Sequence, residues 1–89
     1  MSNVFIAFQD NEDSRPIIDA ILADNADAQA TYPTGLVKID ALGSLVIRRQ
    51  TIEELIGRSF NLQQIHVNLV TLSGHIDEDD DQLSLSWTH

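Results

Sequence analysis

Gly35, Gly43, Gly57 and Gly74, with Pro16 and Pro33, cut the apolar residues of this chain into short runs. That segmentation is the strongest limit on its fold. Each glycine stands alone between two patterned segments, as a turn marker does. Segments this short cannot bury their own faces, so they must pack on one another. With 89 residues and no cysteine, the chain is expected to fold as one domain over residues 1–89, unaided by disulfides or thiolate-bound metal.

The segments read in order as follows. Val4–Phe8, rich in β-branched and aromatic residues, predicts a strand buried on both faces. Ser14 offers an N-cap, Pro16 fits the first turn, and Ile17, Ile18, Ile21 and Leu22 recur at helical spacing to about Asp24. Ala28–Tyr32 is a weaker strand, stopped by a turn at Pro33–Gly35. Leu36–Asp40 and Ser44–Arg49 flank Ala41–Gly43 and predict a β-hairpin. Thr51–Glu54, "TIEE", has the form of a capping box at the head of a helix that Gly57 ends. Ile65–Leu72 and Gln82–Trp87 read as the longest alternating strands, joined across an acidic run, with Leu83, Leu85 and Trp87 facing the core. The expected fold is therefore a single small α+β domain. Its order is β-α-β-β followed by β-α-β-β, in two packed halves with mainly antiparallel strands.

Charge narrows the partners. Fourteen acids against five bases give a net charge of −9. Such a chain lacks the cations that displace counterions from nucleic acid and is repelled by anionic lipid, so neither nucleic acid nor membrane is an expected partner. It is steered instead toward basic patches on other proteins. The N-terminal "MSNVFIAFQD" has no basic lead and only a five-residue apolar run, unlike a signal peptide or membrane span. Together with the missing cysteines this fits a cytoplasmic protein.

The five consecutive acids Asp77–Asp81 invite a metal or catalytic reading. Asp77, Asp79 and Asp81 match the first, third and fifth places of a calcium loop, but Gln82 stands where glycine is needed and Thr88 where a bidentate glutamate is needed. A catalytic carboxylate needs burial or a partner to move its pKa, and adjacent acids in an exposed loop have neither. The run reads as a solvated connection that discourages edge pairing. His66, His75 and His89 have no zinc-like spacing, and no nucleophile elbow, phosphate loop, dinucleotide glycine motif or Glu-x-x-His pair occurs. These residues point to a binding module with no cofactor. A small hydrolase or isomerase using His66 or His75 with a loop carboxylate is the alternative.

Two passages narrow this further. "FIAFQDNEDSRPIIDAILADN" (Phe5–Asn25) and "TIEELIGRSFNLQQIHVNLVTLSGHIDEDDD" (Thr51–Asp81) resemble the regulatory, or effector, component of bacterial multicomponent phenol hydroxylases. "EELIGRSFN" (Glu53–Asn61) is also similar to the effector of soluble methane monooxygenase. The resemblance implies a protein with no cofactor and no activity alone. It implies binding to a hydroxylase oligomer that carries a di-iron centre and is fed electrons by an NADH-dependent flavin and iron–sulfur reductase. Such an effector tunes O2 activation, substrate access and the coupling of electrons to aromatic hydroxylation. It also implies that Asn68, Val70, Thr71 and Leu72 face the hydroxylase, with His66, Ser73 and His75 beside them. Alternation on an extended Ile65–Leu72 strand would put Ile65, Val67 and Leu69 on the core face, and His66, Asn68, Val70 and Leu72 on the other. If that second face is open, Val70 and Leu72 form an apolar anchor; if helices cover it, they are core.

Overall fold

The computed structural model describes residues 3–87; Thr88 and His89, weighed above as metal ligands, lie outside the described residues. Among the described residues, seven strands and three short helices follow one another. They are β1 (Asn3–Gln9), α1 (Arg15–Asp24), β2 (Gln29–Thr31), β3 (Leu36–Leu42), β4 (Ser44–Arg48), α2 (Arg49–Ile56), α3 (Ile65–Asn68), β5 (Leu69–Ser73), β6 (His75–Glu78) and β7 (Gln82–Ser86). A 3-10 turn over Leu62–Gln64 leads into α3.

The strands form two antiparallel sheets, in the orders β2-β3-β1-β5 and β4-β7-β6. Alternation fixes which side of each strand is buried. Val4, Ile6 and Phe8 of β1, Val37, Ile39 and Ala41 of β3, Leu45 and Ile47 of β4, and Leu83 and Leu85 of β7 all enter one core. Helix α1 adds Ile17, Ile18, Ala20 and Ile21 at helical spacing, and α2 adds Ile52. Each fully buried isoleucine or leucine contributes roughly 1.5–3 kcal/mol, which is what lets so small a domain fold without staples. The far side of β1 is covered in part by Lys38, whose Nζ sits 4.5 Å from the Phe5 ring centroid.

The α+β architecture with antiparallel sheets is as expected, but several details differ. The runs around Ala41–Gly43 are both strands, yet they do not pair as a hairpin. β3 pairs with β1, β4 pairs with β7, and Gly43, at φ +78°, turns the chain from one sheet to the other. Gly74 makes the second such crossing, between β5 and β6. The acidic run is not all loop: Asp77 and Glu78 belong to β6, which pairs with β7, and only the residues after them turn. Trp87 is not core. It is 46% exposed, and its indole N–H donates to the Asn3 carbonyl at 2.8 Å, tying the end of β7 to the start of β1.

Both helix starts also differ from expectation. Ser14 occupies the N-cap position of α1 with helical φ and ψ, and its hydroxyl is buried and makes no capping bond. Asn11 caps instead, its Oδ1 accepting the Ser14 N–H at 3.0 Å. The "TIEE" capping box does not form, because β4 runs into α2 without a loop and the helix begins at Arg49. Thr51 donates its hydroxyl to Asp24 Oδ2 at 2.6 Å, which joins α2 to α1. Among the described residues no helix is long and apolar enough to cross a membrane.

Candidate partner-binding face

The segment from Gly57 to Ser73 carries every residue singled out for partner contact except His75. Gly57, at φ +73°, ends α2 in a left-handed turn that few other residues adopt, its N–H donating to the Glu53 carbonyl at 2.8 Å. Glu53 then reaches forward and takes the Phe60 N–H at 2.9 Å, so the loop after α2 is anchored to the helix it left. Asn61 accepts the Gln63 N–H at 3.0 Å and starts the 3-10 turn. From there Leu62, Ile65 and Asn68 recur every three residues on the buried side.

Helix α3 overturns the alternating reading of Ile65–Leu72. Ile65 is buried as expected, but Val67 is 74% exposed and Asn68 only 9% exposed, the reverse of what a strand would give. The extended part begins at Leu69. Leu69 and Leu72 rest half-buried on the core, while Val70 and Thr71 point out. A register shift of one residue explains that pattern. Ala7 faces Thr71 and Phe8 faces Leu69, so Val70 is the extra residue of a β-bulge, turned outward at 47% exposure. The outward set is therefore His66, Val67, Val70 and Thr71. Val67, which the alternation assigned to the core, is the residue that sequence reasoning missed. The spacing Leu62, Ile65, Leu69, Leu72 after a capping asparagine was the signal for it.

Asn68 sits where α3 meets the loop before α1. Its Oδ1 accepts from Asn11 Nδ2 at 3.0 Å, so its amide is paired across 57 residues of chain. It also lines a groove of about 390 Å3 together with the apolar Pro16, Ile17, Ile56, Phe60 and Val67 and the polar Glu12, Asp13, Arg58 and Gln64. A larger groove, about 840 Å3, runs between Ser59–Gln64 and Glu78–Asp80 and is lined mainly by amides and acids.

His66 Nε2 lies 2.9 Å from Glu78 Oε1, linking α3 to β6. Both side chains are partly exposed, and neither His66 nor His75 lines the two grooves. His66 therefore meets a carboxylate that lines the larger groove, while its own side chain lies outside both grooves. His75 and Ser73 flank Gly74, at the crossing between sheets.

The acidic turn is built by its own side chains. Asp79 Oδ1 accepts the N–H groups of Asp81 and Gln82 at 2.8 and 2.9 Å. Those two backbone donors hold its carboxyl below the ordinary range, although it is fully exposed. Asp81 in turn receives Arg49 twice, from Nη2 to its carboxylate and from the backbone N–H to its carbonyl, each at 2.9 Å. Among the described residues no group of three or more His, Asp or Glu side chains is placed to hold a metal ion.

Comparison with known proteins fits this arrangement. The chain is 42% identical over 86 residues to the phenol 2-monooxygenase stimulatory component DmpM of Pseudomonas sp. (strain CF600), covering 97% of this chain and 96% of that protein. It superposes with a TM-score of 0.95 and 41% identity on a chain of a phenol hydroxylase–regulatory protein complex, covering 98% of this chain and all of the other. The fold is shared with the soluble methane monooxygenase regulatory protein B, at a TM-score of 0.75 and 18% identity, over 97% of this chain and 65% of that one. The MmoB/DmpM family pattern matches residues 2–86, and the chain belongs to that family.

Proposed function

We propose that this chain is the stimulatory component of a multicomponent phenol hydroxylase, a non-catalytic effector that acts by binding the hydroxylase. The observation that carries the reading is the full-length likeness to a phenol hydroxylase stimulatory component, at 42% identity. Val67, exposed and lining the smaller groove, and Val70, exposed three residues further on, fit a binding face: apolar anchors next to polar groups are where interfaces concentrate their energy.

In this reading the hydroxylase carries the di-iron centre and receives electrons from the NADH-dependent reductase, all in the cytoplasm. The effector binds one hydroxylase conformation more tightly than another, and that difference sets how far it shifts the population toward efficient O2 activation, substrate entry and coupling. His66, Val70, Thr71 and the edge of Asn68 present the contact. Leu72 and Ser73 support it from the half-buried side of β5, and His75 borders it across Gly74.

Reconstitution tests this. Purified hydroxylase and reductase are assayed for phenol turnover with and without the chain. Turnover should rise and saturate near stoichiometric addition; no change up to a molar excess would overturn the proposal.

A further inference from the structure

We infer that Asn11 is a positioning residue: it holds the Asn68 amide so that the groove between α1 and α3 offers a hydrogen-bond donor to the hydroxylase. The inference rests on the effector reading above and names the chemistry of its contact.

The orientation of both amides follows from one backbone group. The Ser14 N–H can only donate, so the Asn11 atom 3.0 Å from it is the carbonyl oxygen. Asn11 therefore turns its NH2 toward Asn68, and the Asn68 atom that meets it at 3.0 Å must be the acceptor, Oδ1. What remains of Asn68 is Nδ2. It makes no hydrogen bond among the described residues and is not sealed from solvent, and Asn68 lines the groove. A chain of two hydrogen bonds thus converts a helix cap into a fixed donor in a groove that also offers Ile17, Ile56, Phe60 and Val67.

The occupant this fits is a segment of the hydroxylase that inserts an apolar side chain against Ile17, Phe60 and Val67 and presents an acceptor to Asn68. Among the charged groups that line the groove, Glu12 and Asp13 outnumber Arg58, which favours a neutral acceptor, a backbone carbonyl or a side-chain amide or hydroxyl oxygen, over a carboxylate. Val67 belongs both to the groove and to the outward set of α3 and β5, so groove and face are continuous.

Asn11→Asp separates the positioning role from the structural one. Aspartate caps a helix as well as asparagine does, so the Ser14 bond survives, but it cannot donate to Asn68. The Asn68 amide then reverses to donate to the new carboxylate, and the groove shows an oxygen where it showed an N–H. Asn68→Asp is the second variant: it still accepts from Asn11 and replaces the donor with an oxygen while leaving the cap alone. For each, the chain is titrated into hydroxylase and reductase at several salt concentrations, and its thermal midpoint is measured. The half-saturating concentration should rise roughly tenfold or more, as expected for a mispaired polar group in a closed contact. The Asn11→Asp midpoint should change little, and the effect should persist at high salt, where a remote charge would be screened. Unchanged half-saturation for both variants overturns the inference while leaving the effector reading intact. Absence of stimulation by the unaltered chain is the distinct failure of that reading.

Discussion

The Asn25 carboxamide gives Val46 the two bonds that a neighbouring strand would give. Its Nδ2 donates to the Val46 carbonyl at 2.7 Å, and its Oδ1 accepts the Val46 N–H at 2.9 Å. The same NH2 donates to the Ile21 carbonyl at 2.7 Å, so the last turn of α1 is fastened to the outer side of β4. Asn25→Ala should leave two half-buried backbone groups without partners and cost about 2 kcal/mol. Urea titration checks this through a lowered midpoint at unchanged slope.

Gly74 crosses between the sheets at φ +142°, and a Cβ there would meet Val4 Cγ1 at 3.0 Å and Leu85 Cβ at 3.5 Å. Gly74→Ala should therefore destabilise by about 1–3 kcal/mol, through backbone strain and crowding together. In a domain of this size that lowers the thermal midpoint by roughly 4–8 °C for each kcal/mol. Gly43→Ala is the comparison, since its Cβ would meet nothing within 4 Å and only the positive φ of +78° opposes it.

Val70→Lys changes an outward bulge residue, and a surface change of that kind moves stability by no more than about 0.5 kcal/mol. Stimulation of the hydroxylase should nonetheless fall roughly tenfold or more, because a lysine ammonium would have to be desolvated in the contact. Circular dichroism and the turnover assay, run on the same preparation, check the two halves.

The Asp79 turn should respond to acid. Its carboxyl is held below the ordinary range by the Asp81 and Gln82 N–H groups, so its contribution is complete above the unfolded value of about 3.9 and fades as pH falls through the lower folded value. The amide proton shifts of Asp81 and Gln82 should titrate with a midpoint below about 3.9. Asp79→Ala should remove that titration.

Much of this was readable in the chain, for reasons that differ by element. α1 and β7 announce themselves because each meets one core with one face, and Ile17–Ile21 and Leu83–Leu85 carry that period plainly, while β1 shows as an unbroken apolar run, Val4–Phe8. Pairing was less legible. A glycine between two strands reads alike whether it closes a hairpin, as "ALG" suggests, or turns a sheet corner, as Gly43 does. The segment Ile65–Leu72 misled because four helical residues followed by a bulge imitate an alternating strand over a few positions. The "TIEE" box lost to tertiary context: with Arg49 N–H already donated to the Asp81 carbonyl, the helix had started two residues earlier. The resemblance places Asn68 in the contact, and alternation puts it on the outward face; it is instead mostly enclosed, tied to Asn11, and lines the groove.

The bulge at Val70 bears on what can add to the edge of its sheet. β5 is the outer strand of its sheet, and an even outer strand invites another chain to add itself, copy after copy. By spoiling the regular spacing of free N–H and C=O groups near its start, the kink denies a stranger that ladder. Whatever lands there must be held by side chains, and therefore by matching shape.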